Sequence, residues 1–368
     1  MKKRILALAL SAVMVMAMVA GCASEPAGNE GGEGTGDKLQ FEIMVKSFQS
    51  SYWQAAVKGV ENAKKEFNVE ANCDGPNMES DIADQVKMLD AAIEKKPDGI
   101  GLAACDASAV IESLGKALEA KIPVVCFDAG VPNAPEGSVH ATIATDNKAA
   151  GAEAAVNMFP VIEAKIKAAT ADAPVRIGEV NQDATGANII DRGLGFIDKM
   201  IELCKGAGKK VAVIGNDAYV NGCSDKGDEA TAEVIIEVAV PAQTDVATSA
   251  TEASKILQKA DTIAIFGSNE VTANGLIKAD ETIGKLNADP AKGIVAAGFD
   301  AGTLQKDAIR NGKFLGSVTQ SPLMMGYECI KALVAINNGE EVADIPMAGY
   351  WYDTKNMEDE NIAPNLYD

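Results

Sequence analysis

Five short segments of the sequence bring carboxylate, carboxamide and aromatic side chains together within a few residues. They are residues 46–53 (KSFQSSYW), 127–130 (FDAG), 267–270 (GSNE), 298–300 (GFD) and 319–322 (TQSP). Carboxylates and carboxamides form hydrogen bonds with hydroxyl groups, and aromatic rings pack against the apolar faces of a pyranose or furanose ring. The segments therefore indicate a binding site for a polyhydroxylated molecule, and we assign no catalytic residue.

The composition argues against several other chemistries. The chain of 368 residues holds one histidine, His140, so histidine-based metal sites and Ser-His-Asp hydrolysis are not expected. Its seven cysteines lack the paired spacing of zinc ligands, and no GxxxxGK phosphate loop is present. A formal net charge of −20 argues against nucleic acid as a partner, because phosphate binding requires surplus lysine and arginine. We expect neither a metal nor a cofactor.

Each of the five segments follows a short apolar run with the pattern of a β-strand. From residue 41 onward such runs alternate with longer helical patterns, for example strand 41–45, helix 52–66 and strand 123–127. This alternation predicts an α/β fold with parallel sheets, and it restarts at Asn147, which predicts a second domain of similar size. A last strand is predicted at 347–352. Ligands of open α/β sheets bind beyond the carboxyl ends of the strands, where these segments lie.

A set of motifs resembles the ribose/galactose-type periplasmic binding proteins. The motifs are the Tyr52-Trp53 pair, PVVCFD at 123–128, ATDN at 144–147, FGSNE at 266–270, GFD at 298–300, DTKNM at 353–357 and ENI at 360–362. The resemblance spans residues 39–362 and implies a periplasmic binding protein type I fold of two similar doubly wound parallel-sheet domains. It also implies a three-segment hinge, with crossings near residues 144–145, 320–321 and 348–349, and a cleft that closes on its ligand.

The resemblance further implies roles for individual residues. Tyr52 and Trp53 would pack against the ligand ring, Asp128 would accept hydrogen bonds from its hydroxyl groups, and Ser50 stands where ribose binders carry an asparagine. Asn269 would donate and accept, and Asp300 and Gln320 would bind the ligand from the far domain. The candidate ligand-binding residues are Lys46, Ser50, Tyr52, Trp53, Asp128, Asn188, Asn269, Asp300 and Gln320.

Departures from the ribose pattern leave the ligand open. Ala129 and Ile190 stand where ribose binders carry arginines, although Asn188 could reach the cleft. A lysine at position 46 is similar to the autoinducer- and rhamnose-type branches, whereas Asn269 fits the sugar branch better. A monosaccharide or related polyol is the favoured ligand, and an autoinducer-like furanosyl compound or a nucleoside is the alternative. Residues 209–228 look like an insertion without an assigned role.

Several candidates have structural alternatives. Asp128 and Asp300 could be the N-caps of following helices, a frequent use of aspartate after a strand. Lys46 could be a solvated charge at the rim of the cleft. The cysteines beyond position 22 are expected to be small buried thiols, with a disulfide between Cys105 and Cys126 as the alternative.

The N-terminus predicts export and lipid anchoring. A basic start at residues 2–4 precedes an apolar run, residues 5–20, that is short for a membrane span. The run ends in VAGC, which resembles the lipobox of bacterial lipoproteins, where cleavage exposes a cysteine that carries fatty acyl chains; here this would be Cys22. Residues 23–37 contain no large apolar side chain, which is typical of a flexible tether.

We predict a chain with four parts. They are a lipoprotein signal peptide at 1–21, a lipid-anchored tether at 22–37, an N-terminal α/β domain of 38–144 plus 321–348, and a C-terminal α/β domain of 145–320 plus 349–368. The expected protein is an exported monomer on the outer face of the cytoplasmic membrane, or in the periplasm, that delivers a sugar-like ligand to an ABC transporter permease. A sensory binding protein of the same fold is one alternative, and an exported hydrolase that uses Asp128 and Asp300 is a remote one.

Overall fold

The computed structural model describes residues 38–368, which form one compact unit. The predicted signal peptide at 1–21, the tether at 22–37 and the lipidated Cys22 lie outside the described residues. Within the described part of the chain, no helix is both long and apolar enough to cross a membrane.

Strands and helices alternate along the chain, as the sequence pattern predicts. The first elements are β1 (Gln40–Met44), α1 (Ser51–Phe67), β2 (Glu70–Asp74), α2 (Ile82–Glu94), β3 (Gly99–Leu102), α3 (Ile111–Glu119), β4 (Val124–Phe127) and β5 (Ala141–Thr145). They continue with α4 (Asn147–Ala168), β6 (Val175–Val180), α5 (Ala187–Gly206), β7 (Val211–Gly215), α6 (Asp217–Gly222), β8 (Val234–Ala239), α7 (Val246–Leu257) and β9 (Thr262–Gly267). The last are α8 (Glu270–Ile283), β10 (Val295–Phe299), α9 (Thr303–Arg310), β11 (Phe314–Thr319), α10 (Pro322–Asn337), β12 (Ile345–Met347) and β13 (Tyr350–Tyr352).

The strands form two sheets with related topology. The first sheet has the order β12-β5-β4-β3-β1-β2, and all its strand pairs are parallel. The second has the order β13-β11-β10-β9-β6-β8-β7, and within it β13 alone is antiparallel to its neighbour. When the edge strands β7, β12 and β13 are left out, the remaining strands of each sheet are ordered second, first, third, fourth, fifth, which is a doubly wound arrangement. The predicted α/β class with parallel sheets is confirmed.

The chain passes between the two sheets three times. It leaves the first sheet after β5, returns after β11 and leaves again between β12 and β13. Helix α10 accordingly contacts β3, β4 and β5, whereas α4 contacts β9, β10 and β11. We call the first sheet with the helices packed on it the first lobe, and the second sheet with its helices the second lobe. The domain boundaries given above remain a prediction.

The predicted single strand at 347–352 is wrong. The segment contains the end of β12, which pairs with β5 in the first sheet, and β13, which pairs with β11 in the second sheet. Between them lies Gly349, where a Cβ atom would come within 2.6 Å of the Ala150 side chain. The change of sheet within this apolar run depends on tertiary contacts. No local sequence pattern therefore indicates it.

The apparent insertion at 209–228 contains β7 and α6. Strand β7 pairs in parallel with β8 and extends the second sheet at the edge away from the three crossings. The insertion therefore adds an edge strand to the second lobe.

Both sheets are covered by apolar cores on their two faces, which explains why their strands are nearly continuous apolar runs. Every residue of β4 and of β9 is buried. The six cysteines of the described residues are free, so the alternative disulfide between Cys105 and Cys126 is not formed.

One helix pair in each lobe is held at close approach by glycine. A Cβ atom on Gly151 of α4 would lie 1.9 Å from the carbonyl oxygen of Arg192 in α5. In the first lobe, a Cβ atom on Gly59 of α1 would likewise lie 1.9 Å from the carbonyl oxygen of Leu323 in α10. In the second lobe this spacing fixes the position of α5, and with it the side chains that α5 directs into the interior.

We expect Gly151→Ala to lower the free energy of unfolding by about 1–3 kcal/mol, because the added methyl group must push the two helices apart. Urea unfolding followed by circular dichroism measures this change. The matched control is Gly115→Ala in α3, where a Cβ atom would meet nothing within 4 Å. That control is expected to be neutral or up to about 1 kcal/mol more stable. Equal stability of the two variants would contradict the close approach.

Candidate ligand-binding site

The carboxyl ends of strands from both sheets meet around a cavity of about 20 Å³ between the lobes. Fourteen residues line this central cavity, and all nine of the predicted binding residues are among them. The other five are Glu79, Ile189, Arg192, Glu270 and Val271. The structure thus brings the predicted set together, and contact of these residues with a ligand remains a prediction.

Asp128 is the centre of the hydrogen-bond network in the cavity wall. Its Oδ2 lies 3.0 Å from Lys46 Nζ and accepts from Asn188 Nδ2 at 3.1 Å. Its Oδ1 accepts from the Tyr52 hydroxyl at 2.5 Å. Lys46 Nζ also donates to Asn188 Oδ1 at 3.0 Å, and the lysine is 1% exposed. The interpretation of Lys46 as a solvated rim charge is therefore wrong.

Lys46 and Asp128 form a buried ion pair. Burial opposes the charge of Lys46, but the carboxylates of Asp128 and Glu79 raise the pKa of its ammonium group above the ordinary value. Lys46 is therefore charged at neutral pH, and its charge is balanced within the site. Removing one partner of such a pair costs about 3–5 kcal/mol, because an uncompensated charge is left in a poorly solvated place.

The same tetrapeptide, Phe-Asp-Ala-Gly, follows the fourth strand of the α/β unit in each sheet. It occupies residues 127–130 and 299–302, and in each copy the phenylalanine is the last residue of the strand, β4 or β10. Both aspartates adopt positive φ, 63° at Asp128 and 73° at Asp300, a conformation that aspartate tolerates better than most residues. In both copies the aspartate N–H donates to a carbonyl of the next strand, β5 or β11. In each lobe the same local backbone conformation thus directs one carboxylate to the cavity.

Neither aspartate caps the helix that follows it. No helix lies between β4 and β5, and the N-cap of α9 is Gly302 rather than Asp300. Asp300 Oδ2 instead accepts from the backbone N–H of Glu270 at 2.9 Å, in the first turn of a different helix, α8. The capping alternative is therefore wrong for both residues.

Asp300 is connected to the segments in which the chain crosses between the lobes. Its Oδ1 accepts from Gln320 Nε2 at 2.6 Å, and Gln320 Oε1 accepts from the Thr145 hydroxyl at 2.7 Å. Thr145 ends β5 and Gln320 follows β11, so two of the three crossings contribute to this chain of bonds. Burial raises the pKa of Asp300 to about 6, and the nearby charge of Arg192 partly offsets that rise.

Two of the predicted residues also have capping roles. Asn269 caps α8 by accepting from the Thr272 N–H at 3.0 Å, while its Nδ2 donates to Gln182. Ser50 caps α1 by accepting from the N–H of Trp53. For these residues a capping role is compatible with the predicted binding role, because a cap at the start of a helix lies at the carboxyl edge of the sheet.

Residues 41–341 match the family model described as periplasmic binding protein domain. The chain belongs to this family. A solved structure described as an ABC transporter, LacI family transcriptional regulator from Brachyspira murdochii is 33% identical, with a TM-score of 0.73, and the match covers 90% of this chain and 99% of that one. A solute-binding protein of an ABC transporter from Agrobacterium vitis, with bound D-fucose, is 27% identical, with a TM-score of 0.72 and coverage of 89% and 100%.

The fold is that of a type I periplasmic binding protein, as the sequence resemblance implies. A carbohydrate transporter solute-binding protein from Agrobacterium radiobacter, in complex with D-arabinose, shares this fold at 21% identity and a TM-score of 0.69, over 89% of this chain and 99% of that one. A comparison with curated proteins gives no match. The family consists of solute-binding proteins that work outside the cytoplasm.

The binding protein carries an arginine in its cleft that the sequence analysis missed. Arg192 is 1% exposed, and its guanidinium carbon lies 3.6 Å from the centroid of the Phe299 ring. The guanidinium group donates to Asn147 Oδ1 at 2.7 and 3.1 Å and to the Ser268 carbonyl at 2.8 Å. Its planar face and its edge are both held, so the group is fixed in place before any ligand is bound.

Arg192 was not among the predicted binding residues. The sequence comparison considered only positions 129 and 190, where ribose binders carry arginines and this chain has alanine and isoleucine. Arg192 follows Asn188 by four residues, and residues four apart lie on one face of a helix. Helical spacing from a residue already placed in the cleft was the signal that could have identified it.

Two glutamates that the sequence analysis did not select connect the lobes. Glu79 accepts from Trp53 Nε1 in the first lobe and from Gln182 Nε2 in the second, both at 2.7 Å. Glu270 of the second lobe accepts from the Ser51 hydroxyl at 2.8 Å, at the N-terminus of α1, where the helix dipole favours a carboxylate. Burial raises the pKa of both glutamates, and these hydrogen bonds partly offset it. Within residues 38–368, no three or more His, Cys, Asp or Glu residues are grouped to hold a metal ion.

The C-terminal segment was also missed. The ring of Tyr367 packs edge-on against Tyr52, with 6.0 Å between centroids, and its hydroxyl accepts from the Ala301 N–H at 3.2 Å. The same ring contacts the apolar cores of both lobes. The segment has no periodic pattern, so no sequence signal indicated that Tyr367 packs against Tyr52 beside the cleft.

A buried acid lies behind the cleft on β6. Glu179 is 0% exposed, and its Oε1 accepts from Asn181 Nδ2 at 2.8 Å. Its Oε2 and Asn181 Oδ1 have no hydrogen-bond partner among the described residues. Burial raises the pKa of Glu179 well above its ordinary value. A protonated Glu179 would supply the missing hydrogen, because its hydroxyl could donate to Asn181 Oδ1.

We expect Glu179 to favour folding most at low pH. The pKa of Glu179 is higher in the folded state than in the unfolded state. Its contribution to the free energy of unfolding is therefore complete below the unfolded-state pKa, near 4.3, and is lost as the pH rises toward the folded-state pKa. The loss has a slope of up to about 1.4 kcal/mol per pH unit. Glu179→Gln should remove this dependence and increase stability at pH 7, as measured by urea unfolding at pH 5 and 7. Glu340→Gln, at an exposed site, is the control. An unchanged pH dependence in Glu179→Gln would contradict this assignment.

Proposed function

We propose that this protein is an extracytoplasmic solute-binding lipoprotein that captures a neutral monosaccharide or related polyol between its lobes and delivers it to an ABC importer. The observation that carries the proposal is the set of fixed carboxylates and carboxamides that both lobes direct at one cavity. Such groups orient hydroxyl groups by hydrogen bonds, which is how a polar site selects a sugar.

The charges in the cleft support a neutral ligand. Lys46 is paired with Asp128, and Arg192 acts electrostatically on Asp300. Each aspartate therefore has a cation of its own lobe, which leaves no unpaired cation for an anionic ligand. The other two acids of the cavity, Glu79 and Glu270, already accept hydrogen bonds from the opposite lobe, and burial raises the pKa of both, which favours their neutral forms. The carboxylate oxygens can still accept from hydroxyl groups, since an ionised carboxylate has about four lone-pair sites.

Binding requires the lobes to separate. A cavity of about 20 Å³ holds about one water molecule, so a sugar ring cannot enter the cleft as it stands. On opening, Asn188 would leave Lys46 and Asp128, and Gln182 would leave Glu79. Ligand hydroxyl groups would then replace these contacts, and closure would follow because the ligand binds the closed state more tightly than the open state.

The relative from Agrobacterium vitis with bound D-fucose supports a sugar as the ligand class. A furanosyl compound or a nucleoside would use many of the same polar groups, and a chemoreceptor or histidine kinase in place of a permease would use the same cleft. We favour the sugar and the importer, because the solute-binding protein from Agrobacterium vitis, at 27% identity, is assigned to an ABC transporter.

Anchoring through Cys22 completes the proposal. The apolar run at 5–20, the VAGC sequence and the following tether form the order expected of a bacterial lipoprotein. An anchored monomer would hold its cleft near the permease, at the length that the tether of 22–37 allows.

A thermal-shift screen of residues 38–368 against pentoses, hexoses, polyols, nucleosides and furanosyl diols tests the ligand class. A ligand at 100 times its Kd adds about 2.7 kcal/mol to the free energy of unfolding, so a sugar or polyol should raise the Tm by several degrees. Asp128→Asn should weaken binding of that ligand about 10- to 100-fold, because a charged acceptor is lost. Asp172→Asn, outside the cleft, should not. Shifts with nucleosides or furanosyl diols alone would overturn the ligand class, and no shift at all would overturn the proposal.

Cys22→Ser tests the anchor. Without the thiol that receives the acyl chain, the full-length protein should move from the membrane fraction to the soluble fraction, as followed by immunoblotting of cell fractions. Cys223→Ser, which removes a different free thiol, should remain with the membrane. A Cys22→Ser protein that stays in the membrane fraction as the wild type does would contradict lipid anchoring.

A further inference from the structure

The N-terminus of α1 in the first lobe receives hydrogen-bond acceptors from the second lobe. Glu270, at the first position of α8, directs both of its carboxylate oxygens at this helix end. Oε1 accepts from the Ser51 hydroxyl at 2.8 Å and from the Ser51 N–H at 3.4 Å, and Oε2 accepts from the Tyr52 N–H at 3.1 Å. Glu270 is 8% exposed, so these three hydrogen bonds are largely shielded from water.

Helix α1 does not provide these acceptors itself. The first N–H groups of a helix have no partner within the helix, and α1 has no acidic residue in its first turn. The side chain of its N-cap, Ser50, accepts from the Trp53 N–H at 3.5 Å. The N–H groups of Ser51 and Tyr52 are left, and Glu270 of the opposite lobe satisfies both.

The same contact joins the two aspartates of the predicted binding site. The Glu270 N–H donates to Asp300 Oδ2 at 2.9 Å. Tyr52, whose N–H donates to Glu270, donates its hydroxyl group to Asp128 Oδ1 at 2.5 Å. A chain of hydrogen bonds therefore runs from Asp300 in the second lobe to Asp128 in the first. It is complete only while the N-termini of α1 and α8 are in contact.

Gly302 leaves the room that this contact needs. It ends the second Phe-Asp-Ala-Gly segment, and a Cβ atom there would lie 3.2 Å from Ser51 Oγ and 3.3 Å from Glu270 Oε1. Its φ of 97° also favours glycine. Three segments of the chain therefore pack closely around the Glu270 carboxylate, which distinguishes this contact from a loose pairing of surface side chains.

We propose that Glu270 is a positioning residue for ligand capture, which stabilises the closed state by capping α1 across the cleft. Opening of the lobes would expose the Ser51 and Tyr52 N–H groups to water, so this stabilisation belongs to the closed state alone. Two of the three hydrogen bonds come from backbone N–H groups, and none comes from a ligand. The inference rests on the proposed function, because it concerns the closure that follows ligand entry.

Glu270 then affects affinity without recognising the ligand. A residue that favours closure changes the equilibrium between the open and closed states by one factor, and it does so with or without a ligand. Loss of Glu270 should therefore weaken the binding of every ligand that closes the cleft by one common factor. Loss of a direct ligand contact would instead weaken different sugars unequally, according to their hydroxyl groups.

Two rates measured on ligand-free residues 38–368 report the closing equilibrium. Ser80→Cys and Gln243→Cys place thiols on opposite lobes, because Ser80 Oγ and Gln243 Oε1 lie 3.3 Å apart. A short bis-maleimide should join these thiols at a rate proportional to the closed population, with the protein that lacks both substitutions as background. In the protein without these cysteines, the Ser80 N–H donates to Thr244 Oγ1 across the lobes at 2.9 Å, so its hydrogen exchange follows the open population. The ratio of the cross-linking rate to the exchange rate is proportional to the closing constant whichever state predominates.

Glu270→Ala should lower this ratio about tenfold or more, because the acceptor of three hydrogen bonds is lost. The matched control is Glu281→Ala, at an exposed site of the same helix, which should leave the ratio unchanged. An unchanged ratio in Glu270→Ala would overturn the inference, whatever happens to sugar binding.

Ser51→Ala tests the contact from the other lobe. Ser51 is outside the lining of the central cavity, and the substitution removes only the hydroxyl partner of Glu270. The ratio should fall about threefold in the single variant. In Glu270→Ala protein the same substitution should have no further effect, because its partner is already absent. Additive effects of the two substitutions would contradict a direct contact between these residues.

Isothermal titration with D-fucose, D-galactose and D-ribose connects the contact to binding. Each of these sugars that binds should lose affinity by one common factor in Glu270→Ala. Unequal losses would overturn the inference and leave the proposed function standing, since Glu270 would then recognise the ligand directly. If the ratio of rates falls as expected and none of the sugars binds the wild type, the proposed function is overturned and the role of Glu270 in closure stands.

Discussion

The buried ion pair between Lys46 and Asp128 is the constraint on which the cleft depends. Two charges removed from water must stay paired, and here both partners belong to the first lobe, as does the Tyr52 hydroxyl that also binds Asp128. If the lobes separate as proposed, Asp128 would lose the amide of Asn188 and keep the other two partners. The carboxylate would then keep one orientation in the open and the closed states, so a ligand would meet a fixed acceptor and need not order it.

In the second lobe, different groups hold the buried carboxylate and the cation in place. Asp300 is held by Gln320 and by the first turn of α8, while the Arg192 guanidinium is fixed between the Phe299 ring and Asn147. The hydrogen bonds of Asp300 continue through Gln320 to Thr145 at the end of β5, so this carboxylate is connected to two of the crossing segments. The hydrogen bonds between the lobes, such as those of Gln182 with Glu79 and of Ser51 with Glu270, would by contrast exchange with water on the opening proposed above.

Much of the fold and the candidate set could be predicted, because parallel strands buried on both faces are continuous apolar runs and their carboxyl ends lie at one edge. All nine candidate residues line the central cavity for that reason. The prediction of a single strand at 347–352 was wrong because the change of sheet at Gly349 depends on packing against α4. Arg192 was missed because positions were taken from a family pattern rather than from the face of α5. Tyr367 and Glu79 lie in irregular segments, where no periodicity exists to place them.

The repeated Phe-Asp-Ala-Gly segment has a consequence for which molecules the cleft can distinguish. Identical tetrapeptides at equivalent strands of two sheets are what duplication of a single α/β unit would leave behind. A sugar bound between these halves as proposed would meet an acceptor of the same kind from each side. Stereoisomers with hydroxyl groups on both faces of the ring would then be distinguished from those with hydroxyl groups along one edge, and a substitution in one half would affect the recognition of one face alone.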